Sequence, residues 1–261
     1  MKSKRRSFGN RASGGKHVGL ARAISKLGYC SRSRASELIH AGKVKVNGNA
    51  VRNPEAPVRV GKDRINVEGR ELRDAAKIYL MVNKPRGLVT TAADEKGRET
   101  VYSLLPKGIP WVAPVGRLDQ ASEGLLLFTN DSEWAAGITD PESHLDKTYH
   151  VQIEGVTDAA LVARLGRGVE TPDGERLKAR RASLLRVGEK NSWLEIVLDE
   201  GKNRQIRRMM EGLGMEVLRL MRVAIGPVLL GELAKGAARA LRGAEKLALD
   251  RAMVKRGGGA R

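Results

Sequence analysis

Asp119 lies two residues after Arg117 in the run Val115-Gly116-Arg117-Leu118-Asp119-Gln120-Ala121-Ser122-Glu123-Gly124, just ahead of the apolar stretch Leu125–Phe128. A carboxylate between glycines and beside apolar residues is hard to solvate and needs a basic partner. It is either half of a structural ion pair or a reactive group, because both settings perturb a carboxylate in the same way. Tyr149 stands two residues after Lys147, and Arg204, Arg207 and Arg208 crowd a segment that opens with Gly201-Lys202-Asn203. One carboxylate, a tyrosine and an arginine-rich segment suit chemistry on a nucleotide. The carboxylate can act as nucleophile or base, an arginine can keep it ionised, and a ring can stack on an extruded base.

Other chemistries lack their residues. Four histidines (His17, His40, His144, His150) and the single Cys30 build no zinc cluster of finger or deaminase type. No glycine loop ends in Lys-Ser or Lys-Thr, so no phosphate cradle of that kind is expected. Ser122 lacks the glycine two residues before it that a nucleophile elbow requires. His150, beside Tyr149, reads as a surface or packed side chain. Neither a metal nor an organic cofactor is expected.

Forty-eight Lys+Arg against thirty Asp+Glu leave a net charge of +18, which points to a polyanionic partner and in particular to nucleic acid. The excess is concentrated. Residues 1–16 hold six basic side chains and no acid, and residues 235–261 hold eight basic and two acidic ones. One cysteine excludes an intramolecular disulfide and fits a reducing compartment. No apolar run is long enough to span a bilayer and no signal-peptide core follows the basic N-terminus, so a cytoplasmic location without membrane partners is expected. Aromatic residues are only 3% of the chain, too few for a stacking platform along a single strand. Recognition would rely on RNA shape plus one or two extruded bases.

The elements that must position these residues follow from spacing. A helix is expected from Val18, with Ala21, Ile24 and Leu27 on one face and Gly28 as its stop. Ser31 can cap a second helix carrying Ala35, Leu38 and Ile39, which ends at Gly42. Val44-Lys45-Val46 then alternates, and Asn47-Gly48 offers a hairpin turn. The opposite side of these elements carries Arg22, Lys26, Arg32, Arg34, Lys43 and Lys45. Residues 62–77 read as the end of this module and a linker. Beyond them, Tyr79–Val82, Leu125–Thr129, Lys147–Glu154 and Ser192–Leu198 read as strands. Asp131 or Ser132 can cap a short helix through Trp134. Residues 203–213 form a helix with Ile206, Met209, Met210 and Leu213 on one stripe and the three arginines opposite. Strands without regular strand–helix alternation give an α+β fold on a mostly antiparallel mixed sheet.

Two resemblances join these pieces. Residues 31–48 resemble the alpha-L RNA-binding domain known from bacterial ribosomal protein S-four. Gly116-Arg117-Leu118-Asp119 with Glu123–Asp131 resembles the catalytic motif of ribosomal RNA pseudouridine synthases that carry an N-terminal S-four-type domain. Three further segments agree in order: Val82-Asn83-Lys84-Pro85-Arg86-Gly87, Lys147-Thr148-Tyr149, and Glu200–Met209 followed by Ile225-Gly226-Pro227. Ala121, Ser132 and Asp140-Pro141 depart from the pattern usual in that family.

The resemblance implies a disordered basic tail over 1–16, an S-four-type domain over 17–76, a pseudouridine synthase domain over 77–235 and a basic tail over 236–261. It implies an isomerase converting a uridine of ribosomal RNA, with the large subunit favoured, to pseudouridine. Asp119 would attack the ribose or the base, Tyr149 would pack on the uracil and help move the C5 proton, and Arg207 would pair with Asp119. Arg117 would fill the space left by the flipped nucleotide. RNA would be gripped by Lys147, Lys202, Arg204 and Arg208 and by the basic side of the first module. The protein would act as a monomer on ribosomal RNA or an assembly intermediate. The alternatives are a non-catalytic RNA-binding assembly protein on the same fold, or the same chemistry on small-subunit or transfer RNA.

Overall fold

Helical spacing and one hairpin turn build the first unit of the computed structural model of the chain, which describes residues 17–257. The basic segment 1–16 and residues 258–261 lie outside the described residues. Val18–Gly19 (β1) is drawn into pairing with Pro57–Val58 (β4), so helix α1 spans Leu20–Lys26 rather than starting at Val18. Helix α2 spans Arg32–His40 and is capped by the Ser31 hydroxyl, which accepts from the Arg34 amide at 3.1 Å. Val44–Val46 (β2) turns through Asn47 and Gly48, both at positive φ, into Asn49–Ala50 (β3), as a tight hairpin requires. Ile65–Val67 (β5) and Arg70–Glu71 (β6) complete a sheet of order β3-β2-β5-β6. The segment expected to lead into a linker therefore supplies an inner strand. Leu20, Ile24, Ala35, Ile39, Val44 and Val67 are wholly buried between helices and sheet. Burial of each large aliphatic side chain contributes about 1.5–3 kcal/mol.

The chain divides into two units between Ala75 and Ala76. In the second, Tyr79–Lys84 (β7), Ala113–Val115 (β8) and Glu123–Thr129 (β9) precede helix α3, Ser132–Thr139. Lys147–Glu154 (β10) leads to helix α4, Ala159–Arg167, and to the small hairpin Val169–Glu170 (β11) and Arg176–Leu177 (β12). Arg181–Val187 (β13), Asn191–Leu198 (β14), helix α5 at Gln205–Gly212, Val217–Ile225 (β15) and Val228–Leu229 (β16) follow. Ala238–Ala240 (β17) and helix α6, Gly243–Gly257, close the unit.

Nine strands form one sheet, seven of them along the order β13-β14-β10-β15-β9-β7-β17, with β16 paired to β15 and β8 to β9. Every pairing is antiparallel except β15 with β9, where Met221 faces Glu123 and Arg222 faces Gly124. Strand β9 is buried at all seven positions, which explains why its middle, Leu125–Phe128, is continuously apolar rather than alternating. A side chain at position 124 would put its Cβ 2.3 Å from the Arg222 carbonyl oxygen, and Gly124 has φ +103°. Glycine there lets the two strands meet. That junction sets the residue entering β9 beside β15, with β10 next in the sheet.

The segment expected as a basic tail from 236 is structured to the last described residue. Strand β17 pairs with β7, and α6 lays Leu249, wholly buried, into the cluster of Trp134, Ile138 and Leu145. The Trp134 indole N–H donates to Asp250 at 2.9 Å. Two of its basic residues are matched locally, Arg239 to Glu245 and Lys246 to Asp250, each at 2.7 Å. Helix α3 also runs five residues beyond Trp134, capped by the Asp131 carboxylate.

Candidate active site

The turn carrying Asp119 is fixed by its own carbonyls. Thr90 donates its hydroxyl to the Leu118 oxygen at 2.7 Å, and the Gly87 amide donates to the Gln120 oxygen at 2.8 Å. The Lys84 ammonium donates to the oxygens of Asp119 at 3.0 Å, Ser122 at 2.8 Å and Pro85 at 3.1 Å. Arg207 Nη2 donates to the Ala121 oxygen at 3.3 Å. Five consecutive carbonyls, 118 to 122, thus have donors from outside the turn. Such preorganisation removes the reorganisation a reacting group would otherwise need.

Lys84 is the wholly buried charge of this arrangement. Burial pulls its ammonium from 10.5 to about 8, against the opposing pull of the Asp119 and Glu123 carboxylates. Glu123, 1% exposed, is bound by Arg219 and by Lys235 at 2.8 Å. Burial pushes its carboxyl up, but the two cations outweigh that and hold it below the usual range.

The Asp119 side chain is open to solvent and meets Arg204, Nη1 to Oδ2 at 3.6 Å. Here the structure departs from the pairing expected for Arg207. Arg204 takes a left-handed conformation (φ 49°, ψ 29°) as the residue before α5, so it stands outside the helix and over the carboxylate. Arg207 lies inside the helix and reaches the backbone of Ala121 and Val217 instead. Burial and the neighbouring Arg204 lower its pKa from the usual arginine value, with Asp119 acting in the opposite sense.

Asp119 and Tyr149 line one cavity of about 220 Å³ whose apolar wall includes Leu198, Ile206, Leu220 and Ile225. That volume is below the range of pockets for drug-sized ligands and suits a single ring. Lys147 and Arg222 also line it, as do Arg117 and Lys202.

The remaining cations expected to meet RNA divide by their partners. Arg208 is committed to Asp173 at 2.6 Å and Glu175 at 2.7 Å, and Lys202 to Glu175 at 2.8 Å. Both therefore pin the β11–β12 hairpin to the start of α5 instead of standing as open charges. In the first unit Arg34 meets Glu37 at 2.7 Å and Lys43 meets Glu68 at 2.8 Å. Arg22, Arg32 and Lys45 are exposed with no ion pair among the described residues, and Lys26 is half-buried.

Lys84, Thr90, Glu123, Gln205 and Arg222 are structural parts of the site that residue spacing does not single out. A lysine closing the apolar strand Tyr79–Val82 and an arginine inside Leu220–Ile225 are the signals that were there, because buried charges need a reason.

A carboxylate on a locked turn and a tyrosine lining one single-ring pocket define a site for chemistry on one planar base. Residues 78–212 match the family of RNA pseudouridylate synthases, and residues 18–65 match the S4 domain. The chain is 40% identical over 226 residues to "Ribosomal large subunit pseudouridine synthase B" of Bacillus subtilis (strain 168), covering 85% of this chain and 91% of that protein. It is 38% identical to an "Uncharacterized RNA pseudouridine synthase" of Aquifex aeolicus (strain VF5), covering 90% and 95%. A solved structure described as "Crystal structure of pseudouridylate synthase" superposes with a TM-score of 0.63 at 30% identity, covering 89% of this chain and 99% of that one. The chain belongs to the RNA pseudouridylate synthase family, whose members are isomerases, and it carries an N-terminal S4 domain.

Proposed function

We propose that the protein isomerises a uridine of large-subunit ribosomal RNA to pseudouridine, with Asp119 as the catalytic aspartate. The observation that carries this reading is the shared pocket: Asp119, on a turn whose carbonyls are all held, lines with Tyr149 a space for one ring. The choice of large-subunit RNA rests on the Bacillus subtilis relative, which is named for that activity.

A uridine flipped from its RNA enters between Tyr149 and the apolar wall. The carboxylate of Asp119 engages the nucleotide, the bond from N1 to C1′ breaks, the base turns, and C5 joins C1′ in its place. Tyr149 packs on the ring and helps carry away the C5 proton. Arg204 supplies the charge beside Asp119, and Arg207 keeps the turn in place through the Ala121 carbonyl. Arg117, at the rim, occupies the space the nucleotide leaves. The exposed Arg22, Arg32 and Lys45 of the S4 domain hold the RNA backbone. The reaction takes place in the cytoplasm on the single chain.

Pseudouridine mapping in cells lacking the gene tests this. One large-subunit site should disappear, return with the wild-type gene, and stay absent with Asp119→Asn although that protein still binds the RNA. Return of the site with Asp119→Asn, or loss of a site only in small-subunit or transfer RNA, would overturn the assignment.

A further inference from the structure

Lys147 and Arg222 flank Tyr149 in the pocket, one along the strand and one across it. Lys147 precedes Tyr149 by two residues on the same face of β10, and Arg222 on β15 is the cross-strand partner of Tyr149. Arg222 is 6% exposed, and its Nε donates to the Leu125 oxygen at 2.8 Å, which fixes the guanidinium in place. Its Nη2 is buried with no hydrogen-bond partner. Among the described residues, neither Lys147 nor Arg222 has a carboxylate at ion-pair distance. Several other cations around the site have carboxylate partners: Arg204 has Asp119, Lys202 and Arg208 have Glu175, and Arg219 and Lys235 have Glu123, whereas Arg117 at the pocket has none among the described residues.

Two neighbouring positive charges against an apolar wall, with no carboxylate at ion-pair distance among the described residues, are costly. Burial first, and then the charge of Arg222, lower the pKa of the Lys147 ammonium, against the weaker opposing pull of the Asp146 and Asp199 carboxylates. An anion that forms inside the pocket removes that cost, so the pocket favours a guest that becomes negative there over one that is neutral. Gln205 adds the complementary group. Its amide nitrogen is committed to Lys178 and Glu200, which leaves a buried and unpartnered Oε1 as an acceptor lining the same pocket. One acceptor and two cationic donors lining the same pocket are the kinds of group that the edge of uracil takes, where one N–H lies between two carbonyl oxygens.

We propose that Lys147 and Arg222 stabilise the negative charge that develops on the uracil carbonyl oxygens during the reaction, which makes them catalytic residues rather than contacts to the RNA backbone. The inference rests on the reading of the pocket as the uridine site. When the carboxylate attacks C1′, an oxygen–carbon bond forms, the N1–C1′ bond breaks, and its electron pair stays on the base, spread over N1, O2 and O4. When it attacks C6 instead, the pair of the C5–C6 double bond moves to C5 and O4. Either route places the new charge on the carbonyl edge. No oxidant, reductant or further reactant enters.

The test compares uridine with 5-fluorouridine in the same large-subunit ribosomal RNA transcript, under single turnover. Fluorine withdraws electrons and makes the base anion intrinsically more stable, so it depends less on the protein. Lys147→Met should slow loss of the parent uridine by about 10²-fold, while slowing loss of 5-fluorouridine at least tenfold less. Lys147→Arg should restore most of the rate, and RNA affinity at fixed salt should stay within about threefold for both variants. Arg222→Lys, which keeps the charge in a buried position, provides a second variant if Lys147→Met does not fold. It should show a smaller loss than Arg222→Met with the same dependence on fluorine. Equal slowing on the two bases, or a loss that appears only as weaker RNA binding, would overturn the proposal in favour of phosphate contacts. Failure of the wild-type protein to convert either base would instead overturn the uridine reading beneath it.

Discussion

At the scale of single residues, the unexpected centre of the site is Lys84. Its ammonium is buried without a carboxylate and is satisfied by the oxygens of Pro85, Asp119 and Ser122. Lys84→Met leaves those carbonyls without their donor, at about 1–3 kcal/mol for each buried group left unsatisfied, so a loss of about 3 kcal/mol or more is expected. The pH dependence gives a sharper reading. Burial lowers the folded-state pKa from 10.5 to about 8, so the folded protein holds this proton less tightly than the unfolded chain. Unfolding therefore takes up a proton between about pH 8 and 10.5, and the wild type gains stability relative to Lys84→Met across that window, with no change below it. Denaturant unfolding of both proteins at pH 7, 9 and 10 measures the difference. A gap that stays constant would show that Lys84 does not titrate as its burial implies. Asp119 was legible in the sequence because an acid beside an apolar run needs a reason, whereas its partner was not. Arg204 and Arg207 are three residues apart, and only the left-handed backbone of Arg204 decides which one reaches the carboxylate.

At the scale of elements, the parallel meeting of β9 and β15 builds the site, because it sets the Asp119 turn beside Arg222 and one strand away from Tyr149. Gly124 permits that approach. Gly124→Ala would bring a Cβ to 2.3 Å from the Arg222 carbonyl and hold an L-residue at φ +103°. Strain of this kind costs of order 1–3 kcal/mol before any strand moves, so a loss of more than about 2 kcal/mol is expected. Chemical denaturation checks it, and an unfolding midpoint equal to that of the wild type would mean that the strands separate at no cost. Helix α2, strands β7, β9, β10 and β14 and the body of α5 were legible, because each carries a period or a cap that its burial demands. Strand β17 and helix α6 were not. Of α6, Leu249 is wholly buried while Leu247 is 47% exposed, so the apolar stripe is thin and the charges dominate the pattern. Two of those charges, Arg239 and Lys246, are paired within the segment through Glu245 and Asp250, which a count of basic residues does not reveal.

At the scale of the whole molecule, the charge of +18 and the division between Ala75 and Ala76 make separable claims about RNA. The core of the first unit draws on Val18 to Leu72, and the clusters of the second begin at Ile78, so no described apolar cluster spans the boundary. A chain of residues 76–261 should therefore fold by itself and retain the pocket. Its affinity for RNA should fall for an electrostatic reason, because each phosphate neutralised by a cation releases a counter-ion and steepens the dependence on salt. Arg22, Arg32 and Lys45 are exposed cations of the first unit with no ion pair among the described residues, as are Arg52, Arg64, Arg70 and Arg73. If Arg22, Arg32 and Lys45 each meet one phosphate, the slope of log affinity against log salt should be shallower for 76–261, which also lacks the six basic side chains of 1–16, by at least about 2 to 3. The triple variant Arg22→Gln, Arg32→Gln, Lys45→Gln in the full chain should show a slope shallower by about 2 to 3 while its fold is unchanged. Binding titrations of the three proteins over a range of salt, on one large-subunit ribosomal RNA transcript, measure it. Equal slopes for the full chain and for 76–261 would mean that the first unit holds RNA without its open cations, or does not hold it, and that the excess charge acts from the second unit alone.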